Sequence, residues 1–190
     1  MPDTLKEFLR NIHQVEHHIL DEYSSNWETI EVPRKTFLTS AGKTERYMYY
    51  VQAGIQKSYY LSEGKEHIIA FTYPPSFSGI PESFLSRSPS AYYLETLTDS
   101  LFLRISFEKH QHMLDKHRQI ETLFRKATEQ ILIGVLQRHY ELIAYTIEGR
   151  FRSFMKRSSH LLNQVPHKDL ASYLRIDPTN FSKLLSSVKL

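Results

Sequence analysis

The strongest constraint in this 190-residue chain is an abrupt change of hydrophobic period. Between Trp27 and Ser106, short runs of β-branched and aromatic residues alternate with turn-forming residues. The runs are Trp27–Val32, Thr36–Thr39, Tyr47–Gln52, Ile55–Leu61, His67–Tyr73, Tyr92–Thr98 and Leu101–Ile105. Ala53-Gly54, Ser62-Glu63-Gly64, Pro74-Pro75-Ser76 and Thr98-Asp99-Ser100 separate them with turn chemistry. Strands this short and this regularly spaced predict a sandwich or jelly-roll barrel, because each must share its apolar face with a second sheet. From Phe107 onward the period is helical. The expected class is α+β, with a jelly-roll (double-stranded β-helix) body followed by helices.

Two helical stretches carry most of the remaining apolar pattern. Leu5, Phe8, Leu9, Ile12, Val15 and Ile19 recur at spacings of three and four and predict a helix over 3–24, with Asp3 as its N-cap. Ile120, Leu123, Phe124, Ala127, Ile131, Val135 and Leu142 predict a second over 118–144. Its middle, Ile131 to Leu136, is apolar nearly all round, so it must be covered on more than one face. One cover is expected from the β body and the other from the same helix of a second chain, with Phe124, Ala127, Ile131, Gly134 and Val135 as the dimer seam; the alternative is a helix buried inside its own monomer. Gly134 favours the second chain. In an exposed helix it costs about 1 kcal/mol against Ala, and close backbone approach is a reason to keep it.

Composition excludes several classes. There is no Cys, hence no disulfide framework and no Cys-ligated zinc or iron–sulfur cluster. No apolar run is long enough to span a bilayer, and the first ten residues do not read as a secretory signal, so a cytoplasmic protein is expected. Charge is uneven. Residues 145–190 hold eight Lys/Arg and three acids, a net of +5, whereas residues 1–144 carry −2. A basic end on a slightly acidic body suits a polyanionic partner, though a solvated surface reads the same way.

The most specific local signal lies in residues 167–190, HKDLASYLRIDPTNFSKLLSSVKL. Leu170, Ala171 and Leu174 form the apolar face of one short helix, and the small Ala171 permits close approach of another. Arg175-Ile176-Asp177 is a tight connection in which Ile176 plugs between the helices. Asp177 then caps a second helix that starts at Pro178. Phe181, Leu184, Leu185 and Val188 bury one side of it, which turns Thr179, Asn180, Ser182, Lys183 and Ser186 outward. This is a helix-turn-helix pattern. Short polar and cationic groups near a helix N-terminus suit a major groove, with Thr179, Asn180, Ser182 and Lys183 on base edges. Lys168 and Arg175, with Arg150 and Arg152, are expected on phosphates.

The order of parts resembles the Crp/Fnr superfamily of bacterial transcription regulators over nearly the whole chain. Tyr47 to Gly54 is similar to the family's strand and turn glycine, Ser62-Glu63-Gly64-Lys65-Glu66 to its next hairpin, and Pro75 to Gly79 to the approach to its effector cassette. Leu170 to Leu174 and Ile176 to Leu184 resemble its DNA-reading element. The resemblance implies a sensor domain over 1–112, a long dimerisation helix over 113–144 and a helix-turn-helix domain over 145–190. It implies a homodimer reading a palindromic operator in double-stranded DNA, RNA polymerase as a further partner, and a small-molecule effector in a cassette pocket at Phe77, Gly79, Ile80, Glu82, Arg87 and Ser90.

This sequence departs from the cyclic-nucleotide branch. The family's Gly-Glu pair is Gly79-Ile80 here, and its Arg-Ser pair is Pro89-Ser90. A buried phosphate needs a charge partner, so cAMP is not expected, and no cofactor is. Glu82 and Arg87 lie nearby, out of register, as the candidate substitutes. The family's usual turn glycine is Arg175, which would cost on the order of 1 kcal/mol at positive φ.

Ten His residues do not amount to a metal site. His13 and His17 share a helical face, but no third ligand is apparent, and the strand region offers only His67 to a cupin-type centre. Ser158-Ser159-His160 lacks a nucleophile turn, and no phosphate-cradling glycine loop occurs, so an enzyme is not expected. Two other readings remain: a ligand-binding β-roll whose helical tail contacts proteins without binding DNA, and a degenerate cupin-like enzyme.

Overall fold

The computed structural model describes residues 3–187. Its elements run α1 (Asp3–Ile12), α2 (His17–Ser25), β1 (Glu28–Val32), β2 (Phe37–Thr39), β3 (Tyr47–Ala53), β4 (Gln56–Ser62), β5 (Lys65–Thr72), β6 (Ser76–Ser78), α3 (Pro81–Ser86), β7 (Tyr93–Thr96) and β8 (Ser100–Ser106). Then come α4 (Phe107–Lys116), α5 (Arg118–Ala144), α6 (Ile147–Ser158), a 3-10 turn (Ser159–Asn163), α7 (His167–Leu174) and α8 (Pro178–Ser187). The class is α+β with a long helix, as the change of period predicts.

The strands form two four-stranded sheets, ordered β1-β8-β3-β6 and β2-β7-β4-β5. Strand β8 pairs antiparallel with both β1 and β3, placing Phe102 opposite Ile30 and Val51. Alternation then sorts its residues. Phe102 joins Tyr49, Val51, Ile80 and Leu94 in the core between the sheets. Leu103 and Ile105 face the other way, into a core shared with Leu5 and Leu9 of α1, Leu20 and Tyr23 of α2, and Ile120 and Leu123 of α5. The β3–β4 connection requires its glycine. Gly54 sits at φ +93°, and a Cβ there would run into the backbone of Asp99 and Ser100.

The expected single helix over 3–24 is two helices. The chain leaves α1 after Ile12 and restarts at His17, with Glu16 at ψ 140°. A residue of α5 holds the break open: the Glu16 backbone N–H donates to Gln119 Oε1 at 2.8 Å, and Gln119 Nε2 donates back to the Glu16 carboxylate at 2.6 Å. The helix α3 and strand β6 were not anticipated, whereas α6 falls within the helical period expected from Phe107 onward.

Two compact units result. One runs to Ser58 and takes in Phe71–Ile131; the other holds Tyr59–Ala70 and the described residues from Leu132. The division falls inside α5 and assigns the β4–β5 tip to the helical unit, whereas the sequence suggested divisions after 112 and 144. The five expected seam residues also split. Phe124 packs against Tyr23, Phe77 and His110, and Ala127 is buried, so both belong to the chain's own core. Beyond them Ile131, Leu132, Ile133, Val135, Leu136, Tyr140 and Ile143 are exposed, and a Cβ on Gly134 would meet nothing within 4 Å. No helix of the described residues is long and apolar enough to cross a membrane.

Candidate nucleic-acid interface and cassette

Helices α6, α7 and α8 close around one small core. Phe151 and Phe154 of α6, Leu170 and Leu174 of α7, and Phe181 of α8 are each at most 1% exposed, and the Phe151 and Phe181 rings meet edge to face at 5.7 Å. Ile176 is buried between the helices, as its position in the turn predicts. Arg175 does adopt the left-handed conformation, φ 55° and ψ 44°. The Ile176 N–H then donates to the Ala171 carbonyl at 3.0 Å and the Arg175 N–H to Ser172 at 3.1 Å, which satisfies carbonyls at the end of α7. Asp177 caps α8: its Oδ1 accepts from the Thr179 N–H at 2.8 Å and from that of Asn180 at 3.4 Å.

Thr179, Asn180, Ser182, Lys183 and Ser186 are all exposed. Thr179, Ser182, Lys183 and Ser186 share one shallow surface with Pro178. Ser182 and Ser186 donate to carbonyls within α8, Pro178 at 3.0 Å and Lys183 at 2.8 Å. Val188, expected to end the apolar stripe, lies outside the described residues, as does Lys189.

The four expected phosphate ligands do not share one state. Lys168 and Arg175 are exposed. Arg152 is exposed but paired with Glu148 one turn earlier, at 2.7 Å. Arg150 is a clamp. Its guanidinium donates to the carbonyls of Leu174 at 2.9 Å, Arg175 at 3.1 Å and Tyr145 at 2.9 Å, fastening the end of α7 to the start of α6. Three of its five N–H groups are thus committed to carbonyls in the turn, so a primary role on phosphate does not fit this geometry.

Four further attachments were invisible in the sequence. Ser172 Oγ accepts from the Ile68 N–H at 3.2 Å and donates to the Glu66 carbonyl at 3.0 Å, stitching α7 to the β4–β5 tip. Next to it, Arg175 reaches His67 Nδ1 at 3.3 Å, and the His67 ring stacks on Tyr60 at 4.9 Å. Arg138 of α5 lies 4.0 Å over the Tyr173 ring and donates to the Tyr173 carbonyl. Glu141, also on α5, is buried. Burial opposes its ionisation, but Arg157 at 3.2 Å and Ser153 at 2.9 Å outweigh that and hold its carboxyl below the ordinary value.

The expected cassette pocket is dispersed. Phe77 packs against Phe8 and Phe124, and Ile80 belongs to the core between the sheets. Glu82 is exposed on α3. Ser90 hydrogen-bonds locally with Tyr92. Arg87, at φ 57°, donates to the Glu45 carbonyl at 2.7 Å and lies 4.3 Å over the Phe107 ring. Gly79 takes φ +144°.

What organises this region is Glu45. Its carboxylate is buried, accepts from the Thr39 hydroxyl and from the backbone N–H groups of Arg46 at 3.0 Å and Tyr47 at 3.2 Å, and is further stabilised by that of Ile80 at the head of α3. Its own N–H donates to Ser83 Oγ on α3 at 2.9 Å. Burial nevertheless dominates and pushes its pKa above the ordinary carboxyl value. A carboxylate of the chain thus occupies the N-terminal end of α3. Only its place in an irregular loop between strands could have hinted at this.

Beside Glu45 a cavity of about 640 Å³ opens between β1, the 36–46 segment and β3, lined by Ile30, Val32, Leu38, Lys43, Arg46, Tyr47, Tyr49 and Arg104 among others. Among the described residues, no three His, Asp or Glu side chains converge as metal ligands.

Residues 29–117 match the family model described as the cyclic nucleotide-binding domain. That segment is a domain of this class. Among solved structures, FixK2 from Bradyrhizobium japonicum superimposes with a TM-score of 0.71 at 18% identity, over 84% of this chain and 83% of that one. The catabolite activator protein of Thermus thermophilus gives 0.58 at 16%, over 93% and 84%. The c-di-GMP-responsive global regulator CLP of Xanthomonas campestris gives 0.66 at 15%, over 90% of each chain. No curated protein matches the sequence. The chain therefore carries a cyclic nucleotide-binding-type domain and shares the fold of these three proteins.

Proposed function

We propose that this protein is a sequence-specific, homodimeric DNA-binding transcription regulator of Crp/Fnr type rather than an enzyme. The observation that carries the reading is the α7–α8 pair. A tight, capped turn sets Thr179, Asn180, Ser182 and Lys183 on an exposed surface beside the exposed cations Lys168 and Arg175. Asn180 suits adenine, Lys183 guanine or phosphate, and the hydroxyls either partner. The exposed apolar stretch of α5 supports pairing with a second copy, which would set two α8 helices into successive major grooves about 34 Å apart. In domain terms, the sensor is residues 1–112, the dimerisation helix 113–144 and the DNA-reading domain 145–190.

The sensor is not expected to use cAMP. Ile80 and Pro89 stand where a ribose-gripping Glu and a phosphate-gripping Arg would be needed. Arg87 is held on the Glu45 carbonyl, Glu82 faces solvent, and the Glu45 carboxylate already uses the head of α3.

Selection of bound sequences from a random DNA pool tests the reading. The expected product is a palindrome with half-sites one helical turn apart. Asn180→Ala and Lys183→Ala should each flatten the preference at one position per half-site, by about 1–3 kcal/mol where the contact is bidentate. Absence of salt-dependent DNA binding by the folded dimer would refute the reading and leave a tail that contacts proteins.

A further inference from the structure

The cavity beside Glu45 is not the cassette, because no residue from Ser76 to Tyr92 lines it. Its walls divide by chemistry. Ile30 and Val32 of β1, Leu38 of β2 and the ring of Tyr49 give an apolar interior. Lys43 and Arg46 are exposed at its rim, and Arg104 stacks on Tyr47 at 4.2 Å within its lining. The acids nearby are already engaged. Glu28 is held by Arg104 Nε at 2.7 Å, and Glu45 accepts from the Thr39 hydroxyl and the backbone of Arg46 and Tyr47. Among the described residues Lys43 and Arg46 have no ion-pair partner.

A cation would enter against Lys43, Arg46 and Arg104, and the one carboxylate in the lining, Glu45, is already hydrogen-bonded by the chain. A fully polar anion would leave four apolar walls unused. A volume of about 640 Å³ lies within the usual range of roughly 300–1,000 Å³ for small-molecule sites, and its lining combines apolar side chains with hydroxyl and cationic groups in comparable measure. We infer that this mouth of the β-roll binds a small organic carboxylate with an aromatic or aliphatic body, its charge set toward Lys43, Arg46 and Arg104 and its body against Ile30, Val32, Leu38 and Tyr49. The inference deepens the regulator reading by giving its effector a chemical class and a place outside the cassette. Ligand binding is measured without DNA, so failure of one reading leaves the other standing.

The test uses the full chain with selectively labelled methyl groups and three acids, phenylacetate, benzoate and octanoate. Phenylacetamide is the neutral match and cAMP the cassette control. At least one acid should shift the Ile30, Val32 and Leu38 methyl resonances saturably and bind about tenfold or more tightly than its amide counterpart, a difference of about 1.4 kcal/mol. Because Lys43 and Arg46 are exposed, the double variant Lys43→Gln/Arg46→Gln should fold normally and shrink the acid-over-amide preference to about threefold or less. Leu38→Gln should weaken acid and amide together. The inference is overturned if no acid shifts these methyls at about 10 mM, if phenylacetamide binds as tightly as phenylacetate, if the double variant keeps the full preference, or if the shifts centre on Ile80 and Leu94.

Discussion

Arg150→Ala separates two jobs that a basic residue near the proposed DNA-reading helix can hold. The half-buried, charge-assisted bond to the Leu174 carbonyl is worth about 1.5 kcal/mol, and the two solvent-facing bonds to Tyr145 and Arg175 roughly 0.3 kcal/mol each. Losing all three should cost about 2 kcal/mol. For a chain of this size that lowers Tm by about 4–8 °C, with a matching fall in the urea midpoint followed by far-ultraviolet circular dichroism. On DNA, a clamp neutralises no phosphate, so the slope of log K against log salt should stay at its wild-type value while affinity falls. Lys168→Ala is the contrasting control: unchanged stability, with a slope shallower by about one. Wild-type stability in Arg150→Ala, combined with a slope reduced by about one, would refute the clamp and restore the phosphate role.

Three further outcomes follow from the same geometry. Burial pushes the Glu45 carboxyl up, so the folded state holds its proton longer than the unfolded chain. Its stabilising contribution is therefore complete below the ordinary carboxyl pKa and is lost as pH rises through the raised value; Glu45→Gln should remove that slope from urea unfolding measured across this window. Burial depresses His110 to about 4 from 6.5, so its contribution is complete above 6.5 and lost as pH falls toward 4, and imidazole NMR titration should show no protonation near neutrality. Ile133→Asp/Leu136→Asp changes side chains that are 66% and 58% exposed, so the chain should stay folded but sediment as a monomer; a persisting dimer would place the seam elsewhere.

Features encoded by neighbouring residues could be read directly from the sequence. Asp177-Pro178 announces a helix start whatever surrounds it, and the Ile176 plug follows from the short turn between two apolar helix faces, whereas the left-handed Arg175 is suggested only by the resemblance, through the family's glycine at that position. What the pattern could not show depends on distant partners. Residues 13–16 lie in a helical period that Gln119, more than a hundred positions away, interrupts. Arg150 looks like any exposed cation until α7 ends beside it, and Ser172 like any surface serine until β5 supplies two backbone groups. Phe124 and Val135 share one helical stripe, yet the first is covered by the body and the second is not, because a period records which residues share a face but not where the cover ends.

The uncovered stretch of α5 has a bearing on gene dosage. With a second copy as its cover, the competent species grows as the square of chain concentration whenever copies are scarce. Halving expression would then cut operator occupancy close to fourfold, so a modest change in synthesis or proteolysis acts as a steep threshold without any effector. A lone chain, meanwhile, leaves Ile133 and Ile143 in water, a natural mark for degradation of surplus or orphaned copies.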